Sequence, residues 1–344
     1  MKLLYKGLAF LMLLSVLSGA SAVFAQEKLT LRVSDQFPTT HFVHDSVKFW
    51  IAEVEKATGG AVRFDYYSGE QMGKAKDQLA LIQSGVVDVS LVVPGYVSDK
   101  MPLSAVAELP GMGNPNTSCA GSIAYMKLAQ EGIFAKQEYG PAGVRAIWGF
   151  AFPPYQLMMA QRRIAPLKEI EGAKIRTVGS SMEFLVRHLK GVPVKISAPD
   201  AYEALSRGTI DGVMLTHASL FAYKMEGLIK YATSSGSFGG TVGAYGISEK
   251  RWKELPAQVQ KAIMDAGEKA TRHLCTYMER DTQEAQEKLR QRGVTIVTFS
   301  ATEQKELEGI YAATATEWVA SMDKRGKPGS EALKAFTEAL KAGR

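Results

Sequence analysis

The sequence predicts an α/β protein of two similar domains, and three observations lead to this fold class. Apolar segments that read as buried strands alternate with helical segments, and the alternation begins again midway along the chain. A β-rich passage follows each repeat, and the chain would cross between the sheets at these two passages. The stretch from Ala257 to Arg292 has no Pro and a single Gly, which predicts one helix of about 50 Å that runs across both domains.

The first repeat has the order βαβαβ. "LTLRVSDQF" reads as a strand, and "DSVKFWIAEVEKATGG" as a helix with Val47, Trp50, Ile51 and Val54 on one face and a Gly stop. "AVRFDYYSG" is the second strand, "KAKDQLALIQSG" a helix that ends at Gly85, and "VVDVSLVV" the third strand. This order predicts a parallel, doubly wound sheet with ligands at the carboxyl ends of its strands.

The second repeat has the same order. "AKIRTVGS", "VPVKIS" and "TIDGVML" read as strands, and "SMEFLVRHLKG" and "PDAYEALSRG" as the helices between them. The segments "LIQSGVVDVSL" and "ALSRGTIDGVM" share a Gly followed by an Asp, at Gly85 and Asp88 and at Gly208 and Asp211. Because Gly takes the left-handed conformation that ends a helix at little cost, both segments predict the same joint between a short helix and a buried strand.

Two passages predict the crossings between the domains. "VRAIWGFAFPPYQLMMAQRRI" is broken by Pro153-Pro154, which fix the backbone and remove ladder donors, as suits a hinge. "YATSSGSFGGTVGAYGIS" is the expected return. We therefore expect residues 26–153 plus 241–280 to form lobe I, and residues 154–240 plus 281–344 to form lobe II.

The first residues predict export. Lys2 and Lys6 precede an apolar run and the small residues that end at Ala25, so we expect residues 1–25 to be a cleaved signal peptide and the protein to reach the periplasm. Removal of both lysines lowers the formal net charge from +6 to +4, and no basic cluster favours nucleic acid as a partner. Cys119 and Cys275 form one disulfide or remain two buried thiols, which the sequence leaves open.

No catalytic motif is apparent, so the sequence does not predict an enzyme, and no cofactor is expected. His41 and His44, with Asp45 beside them, are the one close histidine pair. Two imidazoles three residues apart can share a metal, but a third and fourth ligand are not visible nearby. A polar first turn of a helix is the favoured interpretation.

Arg176 is the strongest candidate for a binding residue. It lies near the carboxyl end of an otherwise apolar strand, and the next helix opens with "SSME", where Ser180 and Glu183 match a capping box. A guanidinium beside a helix N-terminus can bind a carboxylate or sulfonate with two hydrogen bonds. The alternative is a solvated arginine on an edge strand. Aromatic residues near predicted loops would line a site or fill a core: Phe37, Tyr96, Trp148, Tyr155 and Tyr202.

At "IEGAKIRT" and "DAYEALSRGTIDGV" the chain resembles the solute-binding proteins of tripartite ATP-independent periplasmic (TRAP) transporters, of the dicarboxylate-binding type. "MPLSAVAELPGM" and "LPAQVQKAIMDAG" extend the likeness over nearly all of the mature chain, and the block from Ile164 to Gly212 is specific. The resemblance implies a two-lobed periplasmic-binding-protein fold with a ligand cleft, crossing strands and one long domain-spanning helix. It also implies that Arg176 pairs with the carboxylate of the ligand.

Three positions depart from the pattern of the best-known acid-binding members. Gln156 stands where a second arginine is often found, Leu215 where an asparagine is often found, and Ala198 and Pro199 near an expected aromatic residue. A small monocarboxylate, hydroxy acid, sulfonate or zwitterion therefore gains weight over a dicarboxylate. The expected ligand-binding residues are Arg176, Gln156, Thr216, His217, Tyr96, Tyr155 and Phe37.

The expected function is capture of a small organic anion by a monomer that delivers it to the small and large membrane subunits of a TRAP permease. A sensory binding module, or a binder of a small zwitterion or amine on the same fold, is the alternative.

Overall fold

The structure is a computed structural model that describes residues 29–112 and 118–342. The predicted signal peptide, residues 1–25, lies outside the described residues. Eleven strands form two sheets in the described part of the chain, one with the order β2-β1-β3-β10-β4 and one with the order β11-β9-β5-β8-β6-β7. The strands are β1 (Leu29–Ser34), β2 (Val62–Tyr67), β3 (Val89–Val92), β4 (Val144–Ala151), β5 (Gln156–Met159), β6 (Lys174–Thr177), β7 (Val192–Lys195), β8 (Gly212–Leu215), β9 (Tyr231–Thr233), β10 (Val242–Ser248) and β11 (Thr295–Val297).

The α-helices of the described residues flank these sheets and join their strands. They are α1 (Phe42–Ala57), α2 (Gln78–Ser84), α3 (Ser118–Gln130), α4 (Ser180–His188), α5 (Ala201–Ser206), α6 (His217–Ala222), α7 (Glu249–Glu254), α8 (Ala257–Gln291), α9 (Ala301–Lys324) and α10 (Gly329–Ala342). All ten strands and helices predicted in the two βαβαβ repeats are present, with ends that differ from the prediction by a few residues.

The two repeats form the same joint, as the matching sequence segments predicted. Gly85 and Gly208 both have positive φ, 74° and 68°, and lie one and two residues after the last residue of a short helix. Beyond each Gly, an Asp carboxylate accepts a hydrogen bond from a backbone N–H of the neighbouring strand. Asp88 bonds Arg32 at 2.8 Å and Asp211 bonds Lys174 at 2.7 Å. The Asp therefore fixes the start of one strand against its neighbour in each sheet.

The sheets are mixed rather than parallel throughout, which corrects the predicted parallel sheets. In the first sheet β10 runs antiparallel to β3 and β4, and in the second sheet β5 runs antiparallel to β8 and β9. Both exceptions are strands that enter from the other sheet. A crossing strand arrives without the crossover helix that a parallel neighbour requires, so it pairs in the opposite direction.

Both predicted crossings are confirmed. The chain leaves the first sheet after β4 and enters the second at β5, with Pro153-Pro154 between them, and it returns from β9 to β10. Buried side chains of the first sheet, such as Trp148, belong to one continuous apolar cluster with Leu157 and Ile175 of the second sheet. The crossing region is therefore part of the core rather than a solvated linker.

The predicted long helix is α8, and it packs against α1, α3 and β4 on one side of the crossing and against α6 and β11 on the other. Cys119 of α3 and Cys275 of α8 form a disulfide with a Cα–Cα distance of 4.7 Å, which settles the alternative that the sequence left open. The C-terminal helix α10 packs against α3. Within the described residues, no helix combines the length and the apolar character that crossing a membrane requires.

Candidate functional site

Arg176 is fully buried in the second sheet. It is the third residue of β6, which lies between β7 and β8, and it pairs with Val194 and Val213. Its exposed fraction is 0%, so the alternative of a solvated arginine on an edge strand is wrong. A buried cation is costly unless it is hydrogen-bonded and meets an opposite charge, which makes this arginine the natural centre of a site.

Three hydrogen bonds hold the guanidinium of Arg176 in place. Nε donates to the carbonyl oxygen of Ile196 at 2.9 Å, Nη1 to that of Met214 at 3.3 Å, and Nη2 to Tyr96 Oη at 3.1 Å. A guanidinium has five N–H donors, so one N–H on each terminal nitrogen finds no acceptor within residues 29–112 and 118–342. That pair of donors is the complement of a carboxylate bound by two parallel hydrogen bonds.

Tyr96 contacts this guanidinium, and the charge of Arg176 also acts on Tyr155 and Tyr223. Tyr96 Oη also accepts a hydrogen bond from the backbone N–H of Ala198 at 3.1 Å, so Tyr96, which follows β3, contacts the second sheet twice. Tyr155 is buried, Tyr223 is half-buried with a buried Oη, and the charge of Arg176 lowers the pKa of both phenols in part. Burial nevertheless raises the pKa of both phenols, so they remain protonated hydrogen-bond donors, and Tyr223 Oη has no hydrogen-bond partner among the described residues.

A buried carboxyl group lies beside this cluster. Glu108 is 0% exposed, and neither of its oxygens has a hydrogen-bond partner of standard geometry in the described part of the chain. Burial raises its pKa to about 8, although the nearby N–H groups of Val242 and Gly95 and the charges of Arg176 and Lys195 lower the pKa in part. Glu108 is therefore mostly protonated at neutral pH and leaves Arg176 without a counter-ion.

Three of the predicted polar partners line one cavity. Gln156, Thr216 and His217 line it, with Phe42, Pro153, Pro154, Ala218, Tyr277 and Met278. Gln156 Nε2 donates to the carbonyl oxygens of Pro154 and Gly236, and its Oε1 accepts from Thr233 Oγ1 at 2.7 Å. The amide is thus engaged within the protein.

Thr216 and His217 are also occupied by neighbours. Thr216 is the N-cap of α6, where its Oγ1 accepts from the backbone N–H of Ser219 at 3.0 Å and donates to Ser219 Oγ at 2.8 Å. His217 Nε2 lies 2.9 Å from the carbonyl oxygen of Thr233, so it carries the ring proton. Burial lowers the pKa of His217 to about 4, and its unprotonated Nδ1 has no partner among the described residues.

His41, the first residue of the histidine pair, is accounted for by helix capping and packing. His41 caps α1, where its Nδ1 accepts from the backbone N–H of Val43, and its ring stacks on Phe37 with centroids 4.2 Å apart. Burial lowers the pKa of His41 to about 3, so the ring is neutral. Phe37 is 4% exposed and joins the apolar cluster. Within the described residues there is no group of three side chains placed to hold a metal ion.

The predicted capping box is wrong. α4 begins at Ser180, so its N-cap is Gly179, which has no side chain to offer. Ser180 Oγ is buried and has no hydrogen-bond partner among the described residues. The glycine at the cap instead lets the backbone at Gly179 lie close to the backbone at Gly95, because a Cβ on Gly179 would lie 2.9 Å from the Cα of Gly95.

Two sheets joined by crossing strands, with an unpaired buried arginine where the lobes meet, define a two-lobed binding protein. Residues 33–321 match the model of the family described as bacterial extracellular solute-binding protein, family 7, and the chain belongs to that family. These are the solute-binding receptors of TRAP transporters, which confirms the resemblance and an extracytoplasmic, periplasmic location. The family is a class of receptors that take up small solutes and work with membrane components, not a class of enzymes.

Relatives with known names or structures agree with this assignment. A solute-binding protein of Albidiferax ferrireducens is 24% identical over 310 residues, which cover 86% of this chain and 88% of the relative. A TRAP solute-binding protein from Rhodoferax ferrireducens, solved with copurified benzoate, has a TM-score of 0.82 at 22% identity and covers 92% of this chain and 98% of its own. A marine metagenome TRAP protein specific for aromatic acid ligands, solved with metahydroxyphenylacetate, has a TM-score of 0.84 at 21% identity, with 91% and 99% covered.

Proposed function

We propose that the protein captures a small organic acid between its lobes and that Arg176 binds the carboxylate. The observation that carries this proposal is the state of the guanidinium: it is fully buried, held by three neutral acceptors, and retains one N–H on each terminal nitrogen. A buried, oriented cation without a counter-ion favours an anionic ligand, and a planar carboxylate matches the two parallel donors.

The aromatic surroundings favour a monocarboxylate with a compact apolar or aromatic body. Tyr96, Tyr155 and Tyr223 provide ring surface beside Arg176, and their hydroxyl groups provide hydrogen bonds. The described residues offer no second arginine at this cluster, because position 156 is an engaged glutamine. The benzoate and aromatic-acid ligands of the two structural neighbours are consistent with this class. Phe37, Gln156, Thr216 and His217 stay predictions as ligand contacts.

The two lobes would close on the ligand. We propose lobe I as residues 26–153 plus 241–280 and lobe II as residues 154–240 plus 281–328, with residues 329–342 moved to lobe I because α10 packs against α3. Tyr96 of lobe I already contacts Arg176 and Ala198 of lobe II. Closure would exclude water and so strengthen each polar contact to the ligand.

The closed protein would deliver its ligand, as a monomer and without a catalytic step, to the membrane subunits of a TRAP permease. A thermal-shift screen of residues 26–344, refolded to remove carried-over ligand, tests the proposal with small carboxylates, sulfonates, amino acids and amines. A ligand at a hundred times its dissociation constant should stabilise the native state by about 2.7 kcal/mol. Stabilisation by amines alone, or by no compound, would contradict capture of an organic acid.

A further inference from the structure

We infer that Glu108 is a second polar anchor of this site, which selects acids that carry a hydroxyl or amide group in addition to their carboxylate. The inference rests on the proposed capture of the carboxylate by Arg176. It adds a requirement that Arg176 does not impose: the ligand must offer a group that both donates and accepts a hydrogen bond.

The first support is that the carboxyl group of Glu108 is poorly satisfied: the N–H groups of Val242 and Gly95 lie near it, but neither forms a hydrogen bond of standard geometry. Both of its oxygens are buried without a hydrogen-bond partner of standard geometry in the described part of the chain. Buried polar groups in proteins are nearly always hydrogen-bonded, and a buried acid without partners is destabilising. Tyr223 Oη, another buried and unpartnered group, is also close to Arg176. Two buried polar groups without a partner of standard geometry are therefore near enough to Arg176 to feel its charge.

The second support is the position of Glu108 where the two lobes meet. A Cβ on Gly95 of lobe I would lie 3.0 Å from Glu108 Oε2, and a Cβ on Gly179 of lobe II would lie 3.4 Å from the same atom. The carboxyl group therefore fits between the two lobes because Gly95 and Gly179 have no side chains there. A group of the ligand that reaches Glu108 would be enclosed when the lobes close.

The third support is the chemistry of the carboxyl group in this surrounding. The Glu108 carboxyl group interacts electrostatically with four charged or titratable groups: Arg176, Lys195, Tyr155 and Tyr125. Arg176 forms no ion pair with it, so the guanidinium stays available for the carboxylate of the ligand. Burial keeps the proton on Glu108 near neutral pH, so the group presents one O–H donor and one carbonyl acceptor. A hydroxyl or an amide matches both, whereas a methylene matches neither.

Matched pairs of acids test the inference on the mature protein: propionate with lactate, phenylacetate with mandelate, benzoate with 3-hydroxybenzoate, and cyclopentanecarboxylate with pyroglutamate. Calorimetry is carried out on the wild type, on Glu108→Gln, which keeps a donor and an acceptor, and on Glu108→Met, which has neither. We expect the wild type to bind the polar member of at least one pair about tenfold or more tightly. Glu108→Gln should keep the preference, and Glu108→Met should lose it while still binding the plain acid.

The outcomes separate the two claims. Equal affinities within every pair, or a preference that persists in Glu108→Met, would overturn the role of Glu108 and leave capture by Arg176 intact. If no acid binds the wild type, capture of an organic acid is itself wrong. If Glu108→Met does not fold, the wild-type pairs and Glu108→Gln decide, since absence of a preference in the wild type overturns the inference without any variant.

Discussion

Gly95 provides a direct test of lobe closure. A Cβ added at this position would lie 2.5 Å from Val178 Cγ1 and 3.0 Å from Glu108 Oε2, so Gly95→Ala places a methyl group into the contact between lobes. Overpacking of this kind costs about 1–3 kcal/mol. Because opening the lobes relieves the clash with Val178, the penalty falls on the closed form, and affinity for the ligand should drop by about five- to a hundredfold.

The assay is calorimetry with the best acid from the screen, together with thermal unfolding of the ligand-free protein. Gly227→Ala is the matched control, since a Cβ there meets nothing within 4 Å and its affinity should not change. Val178→Ala in the Gly95→Ala background should recover part of the lost affinity by removing the clashing methyl group. If Gly95→Ala binds as tightly as the wild type, the liganded protein does not close on this contact and the reasoning fails.

Three further predictions concern stability. Replacement of Cys119 and Cys275 by Ser should lower the free energy of unfolding in urea by about 2–4 kcal/mol, since the disulfide closes a separation of 156 residues; an unchanged urea midpoint would contradict this. Burial raises the pKa of Glu108 from its ordinary value of 4.5 to about 8, so its stabilising contribution is complete below pH 4.5 and is lost as the pH rises through 8. Glu108→Gln should therefore show a smaller loss of stability than the wild type over this range, by a few kcal/mol at about 1.4 kcal/mol per pKa unit, and parallel urea titrations would contradict the assignment. Asp211→Ala should cost about 0.5–1.5 kcal/mol because it removes the acceptor of the exposed N–H of Lys174, which water can replace only in part, and an unchanged free energy of unfolding would show that the joint does not need it.

The sequence predicted the fold because local signals and the fold agree. The helices that end near Gly85 and Gly208 are each followed by a strand that is buried on both faces. Pro153-Pro154 marks the point where the chain passes from one sheet to the other. The direction of β10 and β5 was not predictable in this way, because strand direction depends on which end of the sheet the chain enters. Apolar patterns carry no information on that entry point.

The site was predicted in part. Arg176 was apparent because a charged residue interrupts a buried strand, and Glu108 gives the same signal within the apolar segment "SAVAELPGM", which the sequence analysis did not use. Tyr223 gave no signal, since its position beside Arg176 depends on tertiary packing. Gln156, Thr216 and His217 stay predictions as ligand contacts: they line one cavity, where most of their polar atoms bond neighbouring groups and His217 Nδ1 has no partner among the described residues.

The central claim is that Arg176 binds the carboxylate, and calorimetry of Arg176→Ala and Arg176→Lys against the best acid tests it most directly. Arg207→Ala, at an exposed arginine paired with Glu203, is the control for loss of a positive charge. Removal of one partner from a buried charge pair costs about 2–5 kcal/mol, so affinity should fall at least thirtyfold in Arg176→Ala. Arg176→Lys should also bind more weakly, because an ammonium cannot provide two parallel hydrogen bonds. Wild-type affinity in a folded Arg176→Ala protein would remove Arg176 from the site and contradict the account.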